Sequence, residues 1–163
     1  MLAELKLAPS GVVARFEREW KHDVQKVWSF LTENDKLSKW FSELQIEDLR
    51  EGGLVKFDMG DGTFEEMRIT HFEPYTVLAY TWGEDEVRFE LQRAQEGCQL
   101  VLMETIHNIT SHTAKDLAGW HVCLDAIGAL LDEHTLESRE DEWKTWYKKY
   151  QDHVDYFQKN RLQ

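Results

Sequence analysis

The hydrophobic period changes along this chain, and the change marks a switch of architecture. From residue 43 to 108 apolar residues recur at every second position, interrupted by Gly52-Gly53, Asp61-Gly62, Pro74-Tyr75, Gly83-Glu84-Asp85 and Glu96-Gly97. Alternation between such turn signals predicts five or six antiparallel strands joined as hairpins. Their apolar sets read Leu54 and Phe57, then Met67 and Ile69, then Leu78, Tyr80 and Trp82, then Val87, Phe89 and Leu91, then Leu100, Leu102 and Ile106. Glu65, Arg88, Glu90, Arg93 and Gln99 fall to the other face, which is expected to be wet. After Ser111 or Thr113 the period becomes helical, with Leu117, Trp120, Leu124, Ile127 and Leu131 in one stripe.

Upstream, residues 11–21 alternate with Val12, Ala14, Phe16 and Trp20 on one side, which predicts a half-buried strand. Asp23 is a good N-cap for a helix carrying Val24, Val27, Trp28 and Leu31. Asn34 and Asp35 restart a shorter helix with Leu37, Trp40 and Phe41. The long stripe from Leu117 needs an apolar surface to cover, and the inner face of the sheet is the large one available. The order therefore predicts an α+β helix-grip fold, a curved antiparallel sheet wrapped around a long helix, with a core over about residues 11–135. Residues 138–160 carry Trp143, Trp146, Tyr147, Tyr150, Val154 and Phe157 at helical spacing and predict an extra C-terminal amphipathic helix. Its stripe is expected against Gly119, Val122, Cys123, Ala126 and Leu130 on the far side of the long helix, or else at a subunit interface, so monomer and homodimer both stay open. A length of 163 residues predicts one domain over 1–163.

The formal charge of −12 excludes the basic footprint of a nucleic-acid binder and disfavours an anionic membrane surface. Acidic residues concentrate in the sheet region, with 15 acidic against 5 basic from Glu43 to Glu104. That face is expected to be solvated, and a basic partner protein is the functional alternative. The N-terminus has no apolar run of signal-peptide type and no stretch has the length for membrane insertion, so the expected location is cytoplasmic. Cys98 and Cys123 are too few and too far apart for a disulfide framework or a zinc ligand set.

The opening strand and the helix with Val27-Trp28, Leu31-Thr32 and Trp40-Phe41 resemble the START-like (SRPBCC) superfamily, specifically the homologues of the heat shock protein 90 ATPase activator. Gly52-Gly53 before a strand, Tyr80-Thr81-Trp82 followed by Val87-Arg88-Phe89-Glu90-Leu91, Leu100-x-Leu102-x-Glu104-Thr105, and Gly119-Trp120 opening the last helix through Leu124 continue the resemblance in order. It covers about residues 12–135 and implies a cavity between sheet and helix that in relatives holds apolar molecules. Members include binding proteins, cyclases, lipid carriers, toxin-resistance proteins and co-chaperone domains, so the fold alone does not assign a role. Relatives often carry His where this chain has Glu104.

Glu104 is in phase with Leu100, Leu102 and Ile106, which puts its carboxyl on the inward, apolar face. There it either keeps its proton, with a raised pKa, or finds a partner such as Arg18, and either outcome makes it a candidate polar anchor. His107, His112 and His121 do not form a metal motif, and Glu104 and His107, three apart on a strand, point to opposite faces. His121 and Asp125 are expected to pair in solvent, away from the stripe. Neither cysteine has an activating neighbour fixed by sequence. The expected function is binding of a small, largely apolar molecule between sheet and long helix, with no cofactor and no metal. Trp40, Phe41, Tyr80, Trp82, Phe89, Trp120 and Leu124 form the expected wall, and Glu104 the anchor. The alternatives are a co-chaperone-like domain that binds a chaperone or another protein, and a cyclase-type enzyme with Glu104 moving a proton and Tyr80 donating.

Overall fold

The computed structural model describes residues 1–161. The chain opens with a hairpin whose first strand the alternation argument did not reach: β1 (Glu4–Ala8) pairs antiparallel with β2 (Gly11–Trp20). β1 lies at the sheet edge with little buried surface, so it carries almost no hydrophobic period. On β2, Val12, Ala14 and Phe16 are buried as their parity predicts, while Trp20 is half-buried. Asp23 accepts the Lys26 N–H at 2.8 Å and starts α1 (Val24–Thr32), and α2 (Asn34–Trp40) buries Leu37 and Trp40.

Six further strands fill the period-two region: β3 (Leu44–Asp48), β4 (Leu54–Asp58), β5 (Phe64–Glu73), β6 (Val77–Trp82), β7 (Asp85–Ala94) and β8 (Gly97–Ile106). With the first hairpin they make one curved antiparallel sheet in the order β1-β2-β8-β7-β6-β5-β4-β3. At the turn into β4, Gly52 has a φ of 81° and a β-carbon on Gly53 would overlap the Asp48 carbonyl oxygen. The register shift between Ile46 and Asp48 sits beside it.

Three face assignments are corrected by the register. On β4 the inward residues are Val55 and Phe57, not Leu54 and Phe57, which are of opposite parity; Val55 is buried opposite Met67. Glu65 pairs with Phe57 and shares the parity of Met67 and Ile69, so it belongs to the inward side at the strand's exposed end, not to the wet face. Arg93 likewise continues the parity of Leu91, beyond the end of the apolar face. Arg88 and Glu90 do share the outer face and pair at 2.7 Å.

α3 (Thr113–Leu131) lies in the concave side of the sheet, with Leu117, Trp120, Leu124, Ile127 and Leu131 all buried. α4 (Arg139–Arg161) packs on the opposite side of α3, burying Tyr150 and Val154 and half-burying Trp143, Trp146, Tyr147 and Phe157. This second layer overturns the expectation of a solvated His121–Asp125 pair. His121 is 1% exposed, its ring stacked at 3.7 Å on Trp146 and its Nδ1 2.7 Å from the Tyr150 hydroxyl. None of the described helices is long and apolar enough to cross a membrane.

Candidate functional site

The aromatic residues singled out from the sequence do converge. Trp82 at the end of β6 and Trp120 on α3 have ring centroids 4.9 Å apart, and Phe41, just past α2, touches both at 5.7 and 5.8 Å. Phe89 packs on Trp120, on Trp40 and on Tyr80. These rings fill the space between the middle of the sheet and α3, so open volume lies beside them rather than among them.

That volume is a cleft of about 680 Å³ on the flank of α3, open to the surface and bordered by the loop after α2 on one side and the start of α4 on the other. Of the expected wall, Trp40, Phe41, Trp82 and Trp120 line it. Tyr80, Phe89 and Leu124 stand behind them in the packed core. Trp143 adds a fifth ring, and Glu43, Lys115, Asp116, Cys123 and Arg139 add polar atoms that the sequence argument did not select. Asp116 had a signal, being one helical turn before Trp120. Arg139 and Trp143 are also one turn apart, but their approach to the site depends on how α4 docks.

A second concavity of about 300 Å³ opens at the mouth between sheet and α3. It is lined by Phe57, Met67 and Trp82 with the carboxylates of Glu65, Asp85 and Asp116. Trp82 and Asp116 are shared by both spaces and joined by a hydrogen bond, Trp82 Nε1 donating to Asp116 Oδ1 at 3.0 Å.

Glu104 is 0% exposed, pairs across β8 with Ala14 and Val87, and has no hydrogen-bond partner for either oxygen. Arg18 does not neutralise it; that side chain lies toward His121 and Asp125. Burial raises the Glu104 pKa well above the usual carboxylate range, and the adjoining Asp116 carboxyl and the charge of Asp85 push it the same way. As two carboxylates, Glu104 and Asp116 offer each other no donor; a proton on Glu104 turns the contact into a hydrogen bond. Trp120 Nε1 is also buried without an acceptor. Trp40 Nε1, by contrast, donates to the Phe30 carbonyl at 2.7 Å.

Tyr80 stands in the same cross-strand row as Glu104 with Val87 between them, so the two backbones are about 10 Å apart and the pair is not a hydrogen-bonded acid and donor. Burial holds the Tyr80 phenol protonated. The histidines go to separate places: His107 Nδ1 lies 3.2 Å from Asp85, His112 borders both concavities, and His121 is under α4. Cys123 lies at the cleft floor with Arg139 Nη2 3.6 Å from its sulfur, yet burial pushes its thiol up to about 12. Arg139 also donates to the Trp40 carbonyl at 2.8 Å, which ties α4 to the end of α2.

Residues 21–132 match the family described as Activator of Hsp90 ATPase homolog 1-like protein. A search of curated proteins finds no match. Among solved structures, the chain is similar to the conserved protein of unknown function EF2215 from Enterococcus faecalis, at 27% identity and a TM-score of 0.81, over 94% of this chain and 90% of that one. It is also similar in fold to the product of BPP1335 from Bordetella parapertussis, at 23% identity and a TM-score of 0.71, over 93% and 90%. The CalU16 structure from Micromonospora echinospora shares the fold at 20% identity and a TM-score of 0.67, over 90% and 91%.

Proposed function

The chain belongs to the Activator of Hsp90 ATPase homolog 1-like family, and from that premise we propose that it binds a small, largely apolar molecule in the flank cleft of α3. The observation that carries this reading is a cleft of about 680 Å³ walled by Trp40, Phe41, Trp82, Trp120 and Trp143. Its size lies within the ~300–1,000 Å³ usual for small-molecule sites. Removing ligand area from water against those rings contributes about 25 cal/mol per Å². Asp116 at the rim supplies a polar contact that orients the bound molecule.

Gly119 allows a clean test, because it lines the cleft and a β-carbon there meets no atom within 4 Å. Gly119→Leu fills the cleft from a helical position, where replacing glycine also adds about 0.5–1 kcal/mol of stability. The expected result is a variant with an equal or higher melting temperature that no longer binds 1-naphthylmethanol by calorimetry. Unchanged binding in a folded Gly119→Leu protein sinks this location for the site.

One observation favours the second reading, a co-chaperone-like interaction domain. The rings between sheet and α3 pack on each other, and the remaining space is a groove open to the surface rather than an enclosed cavity. In that case Gly119→Leu weakens binding of a chaperone partner and leaves the response to small probes unaltered.

A further inference from the structure

We infer that the ligand of this site is an organic cation, with its ammonium group seated against Asp116 at the mouth between sheet and α3 and its apolar body running along Trp82 into the flank cleft. The inference rests on the binding reading above and adds the chemical class of the ligand.

Three observations converge on it. First, the mouth concavity presents three carboxylates, Glu65 from β5, Asp85 from β7 and Asp116 from α3, over a floor of Phe57, Met67 and Trp82. Anionic rim and aromatic floor together match an alkylammonium, which gains from both carboxylate contact and the negative face of an indole. Second, Glu104 is completely buried on the inward face behind Asp116, with both oxygens unpartnered. Two adjoining carboxyls share at most one proton between them, which leaves acceptor capacity on Asp116 that an ammonium at the mouth can fill. Third, the cations near the site are engaged elsewhere. Arg139 donates to the Trp40 carbonyl and approaches Cys123, and Lys115 Nζ sits 6.0 Å over the Tyr147 ring. His107 stands beside the mouth and holds Asp85 through its backbone N–H at 3.0 Å and its ring at 3.2 Å. His112 borders the mouth at the start of α3. Asp116 Oδ1 accepts from Trp82.

The proton balance follows from the same arrangement. In the free protein Glu104 keeps its proton because burial and the neighbouring Asp116 and Asp85 oppose a further negative charge. A bound ammonium reverses that field, and Glu104 releases its proton to solvent. Binding of the cation is thus coupled to proton release, whereas binding of a neutral molecule of the same shape is not.

The test is calorimetric titration of the full chain with three probes of one skeleton, 1-naphthylmethylammonium, 1-naphthylmethanol and 1-naphthoate, in two buffers of different ionisation enthalpy. The expected order is ammonium at least about tenfold tighter than alcohol and carboxylate weakest, with proton release for the ammonium alone. Asp116→Asn keeps an acceptor for Trp82 and is expected to bring the ammonium's affinity down to the alcohol's. Glu104→Gln is expected to abolish proton release, and it decides the matter if Asp116→Asn does not fold. Equal binding of ammonium and alcohol, tighter binding of either other probe, or an ammonium preference that survives in both variants overturns the inference and leaves the apolar-binding reading standing. If none of the three probes binds, that reading falls, and the inference with it.

Discussion

Trp120 and His121 are neighbours in α3, yet the polar atoms they bury meet opposite environments. His121 enters a closed network: the Tyr150 hydroxyl accepts the Ala3 N–H at 3.0 Å and donates to His121 Nδ1 at 2.7 Å, while Nε2 faces Asp125 at 3.6 Å. His153 Nε2 meets the Ala3 carbonyl at 2.7 Å, so the network clasps the N-terminus to α4. On the other side of the helix, Trp120 Nε1 has no acceptor, and the Glu104 carboxyl meets only a second carboxyl, Asp116, with no protein donor on either oxygen. A satisfied buried network fixes one packing of two layers, whereas an unsatisfied one lowers stability in return for a site able to recognise a donor. The difference separates the face of α3 that ties the two layers together from the face on which the proposed site stands.

Removing the centre of the closed network has the largest expected effect. Tyr150→Ala leaves a cavity between α3 and α4 and orphans both His121 and Ala3, for a loss of about 3–5 kcal/mol in denaturant unfolding. Tyr150→Phe keeps the ring and loses about 1–3 kcal/mol. A Tyr150→Ala protein as stable as the parent refutes the structural role of this side.

The pH dependence of stability comes next, and the two sides have opposite signs. Burial, with Arg18, the N-terminal amine and Lys149 nearby, lowers the His121 pKa from 6.5 to about 3. Below 6.5 the unfolded chain takes up a proton that the folded chain refuses, so stability present above 6.5 is lost as pH falls toward about 3, by up to about 1.4 kcal/mol per pH unit. Glu104 acts in reverse. Its folded value is raised from 4.5, so its contribution is intact at low pH and declines as pH rises above 4.5. Unfolding measured from pH 3 to 8 is expected to lose its acid-side fall in His121→Asn and its rise-side decline in Glu104→Gln. Parallel curves for parent and both variants contradict the assignment.

Replacing the orphan sharpens the contrast further. Glu104→Met puts apolar volume where an unpartnered carboxyl stood and is expected to stabilise the fold by about 1 kcal/mol or more while removing the cation preference. His121→Met on the other side is expected to destabilise, because it leaves the Tyr150 hydroxyl without its acceptor. The smallest effect concerns Cys123. With its thiol raised to about 12, alkylation by iodoacetamide at pH 8 is expected to run about a thousandfold slower than in the denatured chain, and a rate near that of the unfolded protein rules out the buried floor described for the cleft.

The strand and helix framework was legible because each element buries one face and so repeats in sequence with its own period. β7, β8 and α3 carry that period throughout, and even the inward placement of Glu104 follows from its phase with Leu100 and Leu102. β1 was not legible, since an edge strand with little burial has no period to read. Glu65 lies on the inward side and not on the wet face its polarity predicts, because exposure at a strand's end looks the same in sequence whichever way the side chain points. Residue type and parity predict the aromatic cluster, but which rings line open volume depends on how they stack, and Tyr80 and Phe89 lie behind Phe41 and Trp120.

By itself, then, the chain's pattern of apolar residues determined the α+β framework, the seating of α3 in the sheet and the presence of a second amphipathic helix, because burial of a periodic face is a local property written in spacing. Only the tertiary structure decided that His121 is sealed beneath α4, that Asp116 adjoins Glu104, and that the open volume lies on the flank of α3. Those outcomes depend on side chains far apart in the chain meeting at particular distances, and hydrophobic spacing contains no record of distance between elements.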